Sequence, residues 1–448
     1  MKSSMLSMVE SKFIDLTLLN NQKVNIPYLT VDNFPDLGLL ISLRFLEWVS
    51  ENPDGVVSLP TGKTPEYFIK WTHFILNNWN KPELENLRKE NGLLIDKKPT
   101  LSQLRFVQID EFYPLDSNQH NSFFYYVNKY YIKGFGLSLD KALLIDSNKI
   151  DLGNHSNWKT VFPEMKVDLT LRYRKSKTEQ ESIQQEAIYR IDQWCADYEE
   201  KIRNMGGIGF FLGGIGPDGH IAFNIRGSNH NSTTRLLETN FETQAAAATD
   251  LGGIEISRNR LVITIGLGTI SYNPDAVAII LAAGEAKARI VKQSLEKKED
   301  VKYPATVLTR LKNSRFYLTT GASKKLKDTY NKYWTSTDWN IKKEQRALLN
   351  LSKKENIFGK KLTVSDLKKD SICQNIPNLN DKTVPRIIKK IDEKVQRGTD
   401  TEKNQIYYHT GPHHDDIMLG MMPHIIHLIR EPSNKHYFTN MTSGFTSV

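Results

Sequence analysis

Two apolar periods alternate along the first three hundred residues. Gly55-Val-Val-Ser-Leu-Pro60 is a short, nearly continuous apolar run, the pattern of a strand buried on both faces. It enters Thr61-Gly62-Lys63-Thr64-Pro65, after which Tyr67, Phe68, Trp71, Phe74 and Ile75 recur at helical spacing. Residues 104–109 predict a second strand, ending at Asp110-Glu111. Ile183, Ala187, Ile188, Ile191, Trp194, Cys195, Tyr198 and Ile202 trace the inner stripe of a long helix, and residues 208–212 predict the next strand. Further strands are expected at Leu261–Ile265, Ala276–Leu281 and Arg315–Leu318, with a helix from Glu285 to Leu295. This alternation over residues 30–325 predicts a doubly wound α/β domain, a largely parallel sheet with helices on both faces. In such sheets the ligand crevice lies beyond the carboxyl ends of the strands. Three polar constellations follow strand ends here, as a shared site would require.

The pattern changes twice towards the C-terminus. Residues 331–400 are helical in pattern with breaks at Gly359, Pro377 and Pro385, and are expected to form a basic helical linker. From Ile406 onward the order is strand, His-rich turn, helix, strand, the beginning of a partial second α/β domain. The expected organisation is therefore 1–330, 331–400 and 401–448.

Composition narrows the class. A hydrophobic fraction of 39% and a charged fraction of 25% suit a soluble globular protein. No apolar run approaches the roughly 18 residues that span a membrane, and Glu10, Lys12 and Asp15 interrupt any signal-peptide core. The two cysteines, Cys195 and Cys373, lie far apart, so no disulfide framework is expected and the cytoplasm is the expected compartment. Of the net charge of +9, residues 331–400 supply most, with 16 Lys/Arg against 9 Asp/Glu. Those lysine pairs are diluted by acids and Leu/Ile, which indicates a solvated helical surface and no nucleic-acid partner.

The candidate chemistry is concentrated in Gly213-Gly-Ile-Gly216-Pro-Asp218-Gly-His220-Ile-Ala-Phe-Asn224. Glycines let backbone N–H groups approach a ligand, and Asp-Gly-His can bring an acid and an imidazole into one pocket. Gly214-x-Gly216-x-x-Gly219 formally matches a dinucleotide fingerprint, with Glu238 19 residues further on. The segment that should be its helix is broken by Arg226-Gly-Ser-Asn229 and lacks an apolar period, so that reading is disfavoured; a purely structural turn stays open. Thr61-Gly62-Lys63-Thr64 invites a P-loop reading, but six residues separate Gly55 from Gly62 where four are needed. A strand, a Gly/Thr loop and a helix start still suit a phosphate. Either carboxylate of Asp110-Glu111 could move a proton, or serve as surface charge. Lys287, after Gly284-Glu285, could contact the same phosphate or be solvated.

The glycine run resembles the signature of glucosamine-6-phosphate deaminases. Pro60-Thr-Gly-Lys-Thr-Pro65, Asp110-Glu-Phe112, His120-Asn-Ser-Phe123, Tyr198-Glu-Glu-Lys-Ile-Arg203, Thr264-Ile-Gly-Leu-Gly-Thr269 and Gly284-Glu-Ala-Lys287 follow in that family's order across residues 30–325. The resemblance implies that Asp110 moves the proton on carbon 2 and that His220, oriented by Asp218, assists ring opening. It also implies that Thr61, Gly62, Lys63, Thr64, Gly214, Gly216 and Lys287 hold the sugar phosphate. The implied products are fructose 6-phosphate and ammonia, made without metal or cofactor, and a homo-oligomer is expected. Three positions depart from the family: Ile225 stands where a glutamate is usual, no arginine appears within Gln244–Thr249, and Leu237 replaces an effector-site lysine. A non-catalytic sugar-phosphate sensor and a 6-phosphogluconolactonase-type hydrolase therefore stay open as alternatives.

A second resemblance lies near the C-terminus. Gly411-Pro-His413-His-Asp415-Asp416 looks like the His-x-Asp-Asp motif of zinc-dependent N-acetylglucosamine deacetylases of the LmbE/PIG-L type, with Thr442-Ser-Gly444 like the end of that fold's next strand. His413 and Asp416 would match zinc ligands and Asp415 the base. Ile417 replaces a usual glutamate, and only some 40 residues of the unit follow the linker, so it is expected to be a vestigial fragment without deacetylase activity.

Overall fold

The computed structural model describes residues 6–14, 16–153, 157–251, 257, 259–413 and 415–441. Seven parallel strands form the main sheet: β1 (Tyr28–Val31), β2 (Val56–Ser58), β3 (Arg105–Val107), β5 (Ala142–Leu143), β6 (Phe210–Gly214), β9 (Val277–Ala282) and β10 (Asn313–Thr319). Their spatial order is β1-β10-β9-β6-β2-β3-β5. Three further strands, β4 (Asp110–Tyr113), β7 (Arg235–Leu237) and β8 (Leu261–Thr264), form a separate antiparallel sheet in the order β4-β8-β7.

Burial on both faces explains why the main strands read as unbroken apolar runs. Side chains alternate across a strand, and the core divides accordingly. Phe211, Ala278, Ile280, Phe316 and Leu318 enter one cluster with Ile188, Ile191 and Tyr198 of the helix Glu179–Asn204. Phe210, Leu212, Ile279, Leu281 and Tyr317 enter the other, with Leu37, Phe45 and Phe68 from the helices Phe34–Glu51 and Glu66–Asn77. Local signals agree with these elements. Thr178 caps the long helix by accepting the Glu181 N–H, and Glu179 and Lys201 sit at the ends that the helix dipole favours.

Strand β2 lies between β6 and β3, so the chain order reverses there. This is the switch point at which loops after neighbouring strands diverge and leave a crevice. The strand expected at Leu261–Ile265 is present as β8, but it pairs antiparallel with β4 and β7 rather than joining the parallel sheet.

The chain divides into two compact units at Asp328/Thr329. In the second unit, the segment expected as a linker instead packs a core of its own. Trp334, Leu348, Leu351, Leu367, Cys373 and Ile387 are buried together, drawn from helices that include Ile341–Glu355 and Thr383–Thr399. Beyond it, β11 (Ile406–Gly411), the helix Asp416–Ile429 and β12 (Lys435–Asn440) form a parallel strand–helix–strand unit. His414 and Thr442–Gly444 lie outside the described residues. No helix among the described residues is long and apolar enough to cross a membrane.

Candidate active site

Because the strands of the main sheet are parallel, their carboxyl ends share one edge, and four of them, β2, β3, β6 and β9, lead into a cavity of about 240 Å³. After β2, Thr61 and Thr64 line it; Gly214 at the end of β6, then Gly216 and His220 beyond it; after β9, Lys287. Asp110 enters from β4, three residues beyond the end of β3. Three expected site residues do not line it. Lys63 is exposed at the outside of its turn, Gly62 supplies the turn's left-handed conformation (φ +75°), and Asp218 lies behind His220.

The adjacent acids have distinct surroundings. Glu111 is fully buried and accepts hydrogen bonds from Ser122 Oγ at 2.7 Å and from the N–H groups of Phe124, Phe123 and Phe112 at 2.7, 3.1 and 2.9 Å. Burial pushes its pKa up to about 7 against the pull of those donors. Glu111 therefore anchors the start of the helix Phe123–Val127, and it is Asp110 that faces the cavity. Asp110 is held by strand pairing to Thr264 and by Gln108 Nε2, which donates to its carbonyl at 2.9 Å. Burial, with the charge of Glu111 beside it, holds its pKa well above the ordinary carboxylate range. A buried carboxyl at the cavity wall with a raised pKa is a suitable proton acceptor near neutrality.

His220 and Asp218 form a dyad. His220 Nδ1 lies 2.6 Å from Asp218 Oδ1. Burial raises the Asp218 pKa, but the hydrogen bond and charge of His220, Asn240 Nδ2 and the Arg226 N–H outweigh it and hold the carboxyl well below its usual range. An ionised carboxylate only accepts, so the imidazole proton belongs on Nδ1 and the lone pair on Nε2. Ile225 leaves no carboxylate at its position, yet both oxygens of Asp218 are engaged: Oδ2 accepts from Asn240 Nδ2 at 2.7 Å. Gly216 makes the arrangement possible, since a Cβ there would stand 2.0 Å from His220 Cε1. Gly216→Ala is expected to displace the ring and lower turnover by ~10²-fold, the scale of a misplaced catalytic group, with fold and melting temperature largely kept. An unchanged rate would mean that the ring position is immaterial.

Another part of the cavity wall suits an anion. Lys287 Nζ donates to Ile215 O at 2.8 Å, and burial lowers its pKa against the opposing charge of Asp218. Among the described residues it is the only lysine or arginine lining the cavity. The Pro60–Thr64 loop is tied back by Tyr131 Oη to Pro60 O and by Tyr126 Oη to Gly62 O. Sequence reasoning missed these two tyrosines, the apolar wall of Phe112, Phe123 and Phe223, and the pair Asn240 and Thr243. Only the last carried a local signal: Asn240 accepts the Thr243 N–H and so caps the helix Phe241–Leu251.

No family model matches the chain. It is 26% identical over 280 residues to the glucosamine-6-phosphate deaminase of Bacillus velezensis, covering 62% of this chain and 91% of that protein. It is 40% identical over 118 residues to the glucosamine-6-phosphate isomerase of Candida albicans, 26% of this chain and 48% of that one. With the glucosamine-6-phosphate deaminase of Borreliella afzelii it shares 32% over 160 residues, 36% of this chain and 56% of the relative. The chain thus spans about half the length of the latter two relatives. Among solved structures, a monomeric glucosamine-6-phosphate deaminase of the NagB superfamily matches with a TM-score of 0.50 and 20% identity, over 66% of this chain and 98% of that one. That likeness shows the fold, a mostly parallel sheet flanked by helices. The sequence similarities are to glucosamine-6-phosphate deaminases and isomerases.

Proposed function

We propose that the first unit is an enzyme that converts glucosamine 6-phosphate and water to fructose 6-phosphate and ammonia. The observation that carries this reading is the convergence, in one cavity, of a buried carboxyl with raised pKa (Asp110), an aspartate-oriented imidazole (His220) and three side chains able to donate to a phosphate (Thr61, Thr64, Lys287). His220 Nε2 relays the proton that opens the sugar ring. Asp110 removes the proton from carbon 2 of the open chain and returns one to carbon 1. Water then adds to the imine at carbon 2 and expels ammonia, which leaves the ketose. The ring C–O bond and the C–N bond each break as a proton reaches the departing atom, and a carboxyl and an imidazole are groups that can move such protons.

Lys287→Ala is expected to raise KM for the phosphorylated amino sugar by ~10–100-fold with a smaller change in kcat, the scale of one charge-assisted hydrogen bond. The reading is tested by following ammonia release from glucosamine 6-phosphate beside hydrolysis of 6-phosphogluconolactone. Ammonia without lactone hydrolysis supports a deaminase, and the reverse supports a lactonase. Thermal stabilisation by sugar phosphate without either product supports a sensor.

The C-terminal unit supports a second, separate reading as the opening βαβ of a zinc-deacetylase-like fold. Donor atoms of His413, Asp415 and Asp416 lie within 4.8 Å of one another at the end of β11. Asp416 Oδ2 accepts the His413 N–H at 2.9 Å and sits 3.3 Å from its Nδ1, so the donors already bond to each other. The three fit a cation only after that bonding is exchanged, and no reaction step is assigned to them. Zinc titration of wild type and Asp416→Ala followed by calorimetry tests the reading; equal heats would contradict it.

A further inference from the structure

The helix Phe241–Leu251 contributes Thr243 to the cavity, and its first turn touches the His220–Asp218 dyad at two points. Asn240 works in both directions. Its Oδ1 accepts the Thr243 N–H at 3.0 Å, which caps the helix, and its Nδ2 donates to Asp218 Oδ2 at 2.7 Å. Thr243 Oγ1 lies 3.3 Å from His220 Nδ1, the same nitrogen that faces Asp218 Oδ1 at 2.6 Å. Asp218 is buried, with its side chain 2% exposed, so a freed oxygen would find no water to replace a lost donor. Among the described residues, the remaining donors to its carboxylate are the N–H groups of Arg226 at 3.3 Å and His220 at 3.4 Å, both long. Lys287, whose pKa the charge of Asp218 raises against burial, has its Nζ committed to Ile215 O.

We propose that Asn240 is a positioning residue of the dyad: its amide fixes the Asp218 carboxylate, which holds His220 with its proton on Nδ1 and its lone pair towards the cavity, and it ties this tautomer to the seating of the helix that carries Thr243. The proposal deepens the catalytic reading above and rests on it for its kinetic arm. At position 225 the chain has an aliphatic side chain, so the second polar hold on the dyad comes from a neutral amide on a helix cap. The seating of that helix and the readiness of the imidazole are consequently one equilibrium.

Two substitutions separate positioning from capping. Asn240→Ala removes both the cap and the donor. Asn240→Asp, read at a pH where both carboxyls are ionised, keeps an oxygen for the Thr243 N–H, and hence the cap, but cannot donate to Asp218. The tautomer of His220 is read from its ring ¹⁵N shifts, which need no substrate. The expected result is a Nδ1–H imidazole in the wild type and a mixed or inverted pattern in both variants. In both, kcat is expected to fall about tenfold or more with KM nearly unchanged, the scale of one lost hydrogen bond to a charged group. Asn240→Gln, which restores a donor on a longer arm, is expected to recover part of the loss. Wild-type ¹⁵N shifts in Asn240→Asp overturn the proposal, whether or not turnover is found. An altered tautomer in a protein without turnover leaves the positioning role standing and removes the catalytic reading instead.

Discussion

Replacing Asp110 by Asn is expected to lower turnover of glucosamine 6-phosphate by ~10²–10⁴-fold while sugar-phosphate binding stays nearly intact. The amide keeps the shape of the carboxyl, and Thr61, Thr64 and Lys287 lie elsewhere on the wall, so only proton transfer is lost. Calorimetric binding beside steady-state rates checks the split; undiminished turnover would remove Asp110 from the reaction. The raised pKa adds two expectations. On the proposed mechanism activity requires the ionised carboxylate, so kcat/KM is expected to fall as pH drops through a value above the ordinary carboxylate range of about 4. Stability moves the other way. A group whose pKa is raised on folding contributes most below its unfolded value, and that contribution is lost as pH rises through the folded value. Asp110→Asn should therefore melt higher than wild type at about pH 8, with little difference at about pH 3.5.

His220→Gln should produce the second large loss, ~10²–10⁴-fold on the ring-closed substrate, because glutamine keeps a polar side chain without a titrating nitrogen. On the proposed mechanism the imidazole acts before carbon 2 is reached, so a substrate analogue that cannot close its ring should be affected far less. Parallel measurement of the two substrates decides the matter. An equal loss on both would assign His220 to a later step or to binding.

The buried halves of the fold and site were legible for a physical reason. Val56–Ser58 and Phe210–Leu212 are covered on both faces, so their sequences stay apolar apart from Ser58, whose hydroxyl donates to Val107 O, and the glycines that follow mark a close approach such as Gly216 to the His220 ring. The second sheet was hidden because its strands depend on distant partners. Asp-Glu-Phe-Tyr has poor strand propensity at its acids, and it becomes β4 only because β8 pairs with it and four donors satisfy Glu111. Leu261–Thr264 announced a strand, but its pairing partners are chosen by tertiary contacts. Lys63 was misplaced for a local reason. Gly-Lys-Thr reads as a phosphate loop, yet the left-handed Gly62 makes a turn that leaves the lysine exposed. Asn240 escaped because a helix cap looks the same whether or not its second hydrogen bond reaches a catalytic pair.

The basic stretch 331–400 shows how composition and packing diverge. Its lysine pairs predicted a solvated surface, and Lys353, Lys354, Lys360 and Lys361 are indeed exposed. The leucines and isoleucines between them are what the pattern undervalued, since Leu348, Leu351, Leu367 and Ile387 close a core that a mere connector would not possess.

The most direct measurement uses glucosamine 6-phosphate deuterated at carbon 2, with ammonia release and the fate of the label followed together by NMR in the presence of a chelator. The account predicts that deuterium leaves carbon 2 as fast as ammonia forms, to reach carbon 1 of fructose 6-phosphate or the solvent, and that Asp110→Asn stops both. Ammonia released with the label still on carbon 2, or label lost equally fast in Asp110→Asn, would contradict it.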